Sequence, residues 1–278
     1  MLQRTEGVVL RNILFGEADL IVTYLTPDFG LLKLFAKSPR KIKSRFGSSL
    51  EPLTRTRISF WGKEDTALPR LTQSDIIHPF QLIRDTFNCF LKASEIIELT
   101  ISFIPERDAN KKVYSLLLNT LHAIENDQNR TNMSYRDTKD NGSTPLSPPF
   151  SKVGKGGLSS ANLMINHYKI KFLKLVGYAP NLDACGRCGK IGYSFYTSHG
   201  SILCEACTRG IDSSIRLSPA VLKLYADLLA WDTAKIKRIK PSDMLLSELS
   251  EIMNMHIKYI LAKPLKSEAF IQSLPQRF

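Results

Sequence analysis

Four cysteines fall in two tight pairs, Cys185-x2-Cys188 and Cys204-x2-Cys207, with 15 residues between the pairs. That spacing belongs to four-cysteine zinc sites. Two intervening residues let a tight turn aim both thiolates of a pair at one tetrahedral centre, at about 2.3 Å each. Gly186 and Ala206 inside the pairs are small, and Gly189 follows the second cysteine, as a knuckle bend requires. Four thiolates fill the coordination shell and leave no open position for water. The expected cofactor is therefore one Zn2+ with a structural task. Two disulfides, four idle thiols, or replacement of one cysteine by the intervening His199, are the alternatives. For a module over residues 183–210 with few apolar groups, metal binding, worth roughly 10 to 16 kcal/mol, would supply most of the local folding energy. The fifth cysteine, Cys89, stands in an apolar helical pattern and reads as a small buried hydrophobe.

A second kind of chemistry is electrostatic. Lys33, Lys37, Arg40, Lys41, Lys43, Arg45, Arg55 and Arg57 crowd one stretch whose single acid is Glu51, and they carry seven of the chain's +12 formal charges. Ser38-Pro39 and Gly47 make the middle of this stretch a loop, so an ordinary mobile basic loop is the plain alternative. The functional reading is a track for phosphates, which Arg11 on the first strand would extend. Phe35, Phe46 and Trp61 are candidate base-stacking platforms, with Phe35 expected in the core instead. Excess positive charge selects polyanions, nucleic acid first and anionic lipid second.

Catalytic signatures are missing. G-x-S-x-G, H-E-x-x-H, Walker and kinase patterns do not occur. Gly154-Lys155-Gly156-Gly157 lacks the spacing of a phosphate loop. Glu95/Glu98 and Glu248/Glu251 sit at i, i+3 on helices, where solvated faces or salt links account for them. A protein without catalytic activity is expected.

The elements that must position these groups change character near residue 80. Before it, Gly7–Arg11, Asp19–Thr26, Leu31–Lys37, Leu53–Trp61 and Ala67–Ile76 read as five short strands. Thr54, Thr56, Ile58 and Phe60 share one face of the fourth strand, while Arg55, Arg57 and Trp61 share the other. Pro27-Asp28-Phe29-Gly30 is a turn. Five antiparallel strands in so few residues suit an OB-type barrel, although an SH3-like barrel has a similar strand count. From Phe80 the period becomes helical: Ile83 to Ile101, Val113 to Ile124, and Leu163 to Val176. Ser218-Pro219 and Ser242 open two later helices. Leu245, Leu249, Ile252, His256 and Ile260 share a face of the last long helix, where His256 reads as a packing residue. Asp127 to Ser160, rich in Asn, Pro and Gly, is expected to be a flexible insert. The expected fold is thus α+β and multi-domain: an OB-fold nucleic-acid-binding domain over 1–80, then an all-α domain over 81–278 with flexible insert 127–160 and an inserted zinc finger. At 278 residues two domains are expected. No run of about 18 apolar residues suggests a membrane helix, and Met1 to Arg11 does not read as a secretion signal. The expected location is the cytoplasm.

Taken together, a basic N-terminal barrel, a helical body and a four-cysteine insert resemble the bacterial recombination mediator family RecO. The resemblance is carried by Thr5-Glu6-Gly7-Val8-Val9-Leu10 with Gly16-Glu17-Ala18-Asp19, and by Leu31 to Arg45. Its most specific part runs from Phe172 to Gly189 and joins a helix end to the first cysteine pair. It spans nearly the whole chain and departs at 127–160, which is longer and more polar than the family's connection. The resemblance implies a monomer that binds single- and double-stranded DNA in the nucleoid and anneals complementary strands. It also implies contacts with RecR and with the acidic tail of the single-strand-binding protein, and indirect help in loading RecA on gapped DNA. The barrel's basic residues would be the DNA contacts. An RNA-binding or ribosome-associated zinc protein and a metal-dependent nuclease are the rivals.

Overall fold

A computed structural model describes residues 1–40, 44–63, 66–139, 155–208 and 214–273. The chain falls into two compact units, one of residues 1–90 with 99–122, the other of residues 91–98 with 123–278.

In the first unit, β1 (Leu2–Phe15), β2 (Asp19–Thr26), β3 (Gly30–Ala36), β4 (Arg55–Trp61) and β5 (Arg70–His78) close in the order β1-β2-β3-β5-β4. Neighbours are antiparallel except β3 and β5, which run parallel where the barrel closes. This is the OB-type barrel expected from the sequence. Alternation decides what fills it. Val9, Val22, Tyr24, Leu32, Leu34, Ile58, Phe60 and Leu71 form the buried interior, because successive side chains point to opposite faces of a strand. The turn after β2 is held by Thr26, whose hydroxyl accepts from the Phe29 N–H at 3.0 Å and donates to the Gly30 carbonyl at 3.1 Å.

β1 is longer than its sequence signal. Its pairing with β4 stops at Val8 opposite Arg55, whereas its pairing with β2 continues to Phe15 opposite Asp19. A bulge between Val9 and Arg11 resets the register. Beyond it, Arg11, Ile13 and Phe15 share the outward face. Phe35, expected in the core, also lies on that outward face, in register with Ile21, and is only partly buried. The reason is parity: its neighbours Leu34 and Ala36 take the inward positions.

The rest of the chain is helical apart from a small sheet: α1 (Gln81–Asp85), α2 (Phe87–Phe103), α3 (Lys111–Lys139), α4 (Lys155–Leu175), then β6 (Ser194–Tyr196), β7 (Ser201–Leu203) and β8 (Ile215–Arg216), and finally α5 (Pro219–Ala230), α6 (Thr233–Ile236), α7 (Asp243–Leu261) and α8 (Lys266–Ser273). Within the tract expected to be irregular, α3 runs on to Lys139 and α4 opens at Lys155. No Gly or Pro occurs from Asp127 to Lys139, so nothing in the chain breaks the helix there. Residues 140–154, including Gly154 of the glycine-rich run, lie outside the described residues.

The helix starts are where capping chemistry puts them. Ser218 accepts from the Val221 N–H at 3.2 Å with Pro219 at the first position, and Ser242 accepts from the Leu245 N–H at 3.3 Å. On α7 the buried stripe is Leu246, Leu249, Ile252, Met253, His256 and Ile257, rotated from the expected one so that Leu245 and Ile260 lie at its margins. Deep in the helical unit, Glu95 and Lys169 form an ion pair with both side chains about 3% exposed or less. Asn254 accepts a second bond from Lys169 at 2.5 Å. Lys92 lies 3.7 Å from the Glu95 carboxylate.

Candidate metal centre and nucleic-acid interface

The cysteine module is built on backbone bonds before any metal is considered. The Gly189 N–H donates to the Cys185 carbonyl at 2.9 Å, and the Cys207 N–H donates to the Cys204 carbonyl at 2.9 Å, closing one turn in each pair. Gly189 sits at φ +73°, which an L side chain resists, and a Cβ on Gly186 would fall 2.3 Å from the Ser201 Oγ. These turns aim the four Sγ atoms at one point, all within 4.8 Å of one another, with Cys188 and Cys204 at 3.5 Å. Four sulfurs at about 2.3 Å from a tetrahedral ion would sit about 3.8 Å apart. The cluster fits a four-coordinate metal ion. Its protonation chemistry agrees. Burial opposes ionisation of Cys185, but N–H groups of Cys204, Arg187 and Cys188 outweigh it and hold the thiol down at about 6. Contacts with Cys188 and Cys204, together with burial, push Cys207 up to about 12. Four thiols sharing protons this closely are poised to exchange them for a cation.

His199 is not among the four ligands. Its Nε2 lies 3.1 Å from Arg187, which also donates to the Cys207 carbonyl at 3.1 Å and so links the two knuckles. The module is tied into its own unit at several points. The Asn181 N–H donates to the Gly200 carbonyl at 2.8 Å, the Tyr225 hydroxyl donates to the Pro180 carbonyl at 2.7 Å, and His256 Nε2 meets the Tyr178 carbonyl at 2.8 Å. His256 also packs edge-on against buried Phe195 of β6. It is the packing residue expected.

In the barrel unit the expected basic residues divide into three groups. Lys33 pairs with Glu106, and Arg55 pairs with Glu6 at 2.9 Å, whose other oxygen accepts from Tyr114 at 3.1 Å. Arg57 is exposed on β4 but lies in register between Glu6 and Asp75. Arg11, Lys37, Arg40 and Arg45 are exposed with no carboxylate partner among the described residues. Arg45 lies 5.0 Å over the ring of Phe46, and that ring is buried in the barrel core. Lys41 and Lys43 lie outside the described residues. The loop after β3 is fastened to the β1–β2 turn: the Ser38 N–H donates to Asp19 at 2.6 Å, and the Arg40 guanidinium donates to the Glu17 carbonyl at 3.3 Å. Lys37 and Arg40 thereby join Arg11 on the β1–β2–β3 flank, while Arg55 and Arg57 belong to β4, separated from β3 by β5. Of the three aromatics, Trp61 is exposed and Phe46 is core.

The acidic pairs turn out to be structural. Glu98 accepts from the N–H groups of Lys266 and Ser267, each at 2.8 Å, and so caps α8. Glu248 accepts from the Ser218 N–H and hydroxyl at 3.0 and 3.1 Å. Neither pair converges on a shared site. The sequence reading overlooked Ile13, Leu14 and Phe15 at the tip of β1. Three consecutive apolar residues at a strand end, followed by Gly16-Glu17, were the available signal, since alternation cannot bury all three.

A closed OB-type barrel with exposed basic residues and a helical unit carrying a four-cysteine module together define a two-part, OB-fold class of protein. The family model described as Recombination protein O N terminal matches residues 1–80, and the one described as Recombination protein O C terminal matches residues 153–269. Among curated proteins, the DNA repair protein RecO of Thermodesulfovibrio yellowstonii is 41% identical over 92% of each chain. Those of Dehalococcoides mccartyi and Syntrophus aciditrophicus are each 29% identical, over 98% and 95% of this chain and 95% and 93% of their own. The chain belongs to the RecO family of DNA repair and recombination proteins. None of the helices in the described residues is long and apolar enough to cross a membrane.

Proposed function

We propose that the protein is a non-enzymatic recombination mediator of the cytoplasm and nucleoid. It binds single- and double-stranded DNA, anneals complementary strands and, with RecR, helps load RecA onto gapped DNA coated by single-strand-binding protein. One observation carries this reading beyond family membership: Arg11, Lys37 and Arg40 stand on one barrel flank without acidic partners among the described residues. Cations on that flank neutralise phosphates of two strands at once and lower the repulsion that slows annealing. Phosphate contacts carry no base information, so sequence preference is weak. If about five phosphates are neutralised on a single strand, log K falls with log salt at a slope near −3.5.

The ion in the cysteine cluster is Zn2+, held by Cys185, Cys188, Cys204 and Cys207. It leaves no coordination position for a substrate, so its work is to fix the module between α4 and α5.

In the helical unit, a cleft lined by Arg130, Lys237, Lys240, Leu163 and Ile239, opening at the Ser242-capped start of α7, sets three cations against the two acids Asp127 and Asp243, beside apolar surface. This is our choice for docking the acidic tail of the single-strand-binding protein. Reversing the charge of Lys237 and Lys240 should abolish binding of a peptide of that tail.

The test of the main reading is charge reversal of Lys37, Arg40, Lys41 and Lys43 together, assayed for strand annealing and DNA binding. Loss of both is expected. Unchanged annealing and binding would overturn the barrel as the DNA surface.

A further inference from the structure

The tip of β1 presents apolar surface that the barrel does not use. Beyond the bulge, β1 pairs only with β2, which pairs in turn with β3, so residues Arg11 to Phe15 form one edge of a three-stranded arm. Ile13 is 42%, Leu14 63% and Phe15 51% exposed, in a strand whose preceding residues Val8 and Val9 are wholly buried. The outward face of this arm has a defined order. Ile13 lies opposite Ile21, which lies opposite Phe35 on β3. Phe15 meets Phe35 edge-on, with ring centroids 5.8 Å apart.

Cations border this surface, beside two acids, Asp19 in register with Phe15 and exposed Glu17 in the turn. Arg11 precedes Ile13 by two residues on the same face, Lys37 follows Phe35 by two, and Arg40 is bonded to the Glu17 carbonyl in the turn that ends the arm. A lone apolar patch would suit many partners. One the width of a few rings, with phosphate-binding groups around it, suits an unstacked base on a charged backbone.

We propose that Ile13, Phe15 and Phe35 form a stacking platform for one or two bases of a single DNA strand, with Arg11, Lys37 and Arg40 on the flanking phosphates. This rests on the proposed DNA-binding role of the barrel and adds what charge alone does not supply. A duplex keeps its bases stacked on each other and cannot use the platform. A single strand can, so the arm favours single-stranded DNA in excess of its charge density.

The test compares three probes of equal length: oligo(dT), an abasic oligodeoxynucleotide and a duplex. Wild type is expected to bind oligo(dT) about tenfold more tightly than the abasic strand. Phe15→Ala and Phe15→Leu should both erase that preference. Leucine keeps apolar bulk but loses the π face. Duplex affinity and the salt slope should stay as in wild type, and matched thermal midpoints confirm that each variant folds. Equal wild-type affinity for oligo(dT) and the abasic strand would overturn the platform. So would a Phe15→Ala variant that leaves oligo(dT) binding intact, as a protein-docking patch would, or one that weakens all three probes in proportion. The pair Lys37→Glu/Arg40→Glu separates the two levels. If it loses binding while Phe15→Ala keeps the base preference, the platform alone fails. If it binds all probes as wild type does, the barrel reading fails and the platform with it.

Discussion

The barrel and the cysteine module solve opposite problems. The barrel closes on an apolar interior of eleven buried residues and leaves Arg11, Lys37, Arg40 and Arg45 exposed without a carboxylate partner among the described residues. The module's own buried cluster is Tyr196, Leu203, Cys185 and Cys204, with Cys207 partly buried against it, so few apolar groups hold it together besides the sulfurs. Charge follows the same division. The loop from Gly189 to Leu203 has Lys190 as its single charged residue, against the crowd at Lys33 to Arg57. A region that folds on its own hydrophobic core leaves its surface available to a ligand, whereas a region built around four thiols that could hold a metal is suited to architecture.

Four perturbations would break or sharpen that contrast. Replacing Cys185 and Cys188 by serine should have the largest effect, because it removes a metal contribution of roughly 10 to 16 kcal/mol to the module. A dye assay for released zinc should read none bound. The thermal midpoint should fall steeply while DNA affinity changes much less. Selective loss of DNA binding in a fully folded double variant would reverse the assignment.

Glu95→Ala comes next. It leaves the Lys169 ammonium buried without its carboxylate, and removing one partner of such a pair costs about 3 to 5 kcal/mol. Urea denaturation should show this, with DNA binding by the folded protein unaltered. Replacing Glu95 and Lys169 together by leucine and methionine should recover much of the loss.

A third prediction concerns acid. Burial, with Lys171 nearby, lowers His167 to about 4, and its Nδ1 has no hydrogen-bond partner among the described residues. Since the folded value lies below the ordinary one, the unfolded chain takes up the proton first as pH falls. The stability this histidine contributes is complete above about 6.5, declines through the interval to about 4, and is lost below it. The change is about 3 kcal/mol at most. Glu95, whose carboxyl is also held below its usual range by Lys169 and Lys92 despite burial, adds loss in the same direction. His167→Gln should therefore flatten, without abolishing, the fall of the thermal midpoint between pH 6.5 and 4.

The smallest effect separates cations that look alike in sequence. Arg40→Ala should reduce the single-strand salt slope by about 0.7, one phosphate contact. Lys33→Ala should reduce it less, because Glu106 already engages that ammonium. Both should change stability by no more than about 0.5 kcal/mol. Equal slope changes would mean that the Lys33–Glu106 pair opens at no cost when DNA binds.

Much of the site was legible locally. The knuckles could be read because a Cys-x2-Cys turn is a contact between residues three apart, and the caps at Ser218 and Ser242 because they act over three residues too. The strand faces of β4 followed from alternation alone. Phe35 was misplaced because local hydrophobicity does not give the parity of a strand. Its outward position is set by which neighbours reach the interior. The continuation of α3 was missed because polar composition was taken as irregular, although a helix already nucleated upstream can propagate through polar residues where no Gly or Pro interrupts it.

Sequence by itself determined the two chemistries of this protein, a tetrathiolate site and a concentration of positive charge, because spacing and composition are properties of the chain. Tertiary structure decided which charges remain available. Glu6 and Glu106 reach Arg55 and Lys33 across 49 and 73 residues of chain, a distance at which no local pattern operates. It also left Phe15 and its neighbours uncovered, since the bulge and the early end of β4 pairing carry the tip of β1 past the core that would otherwise have buried it.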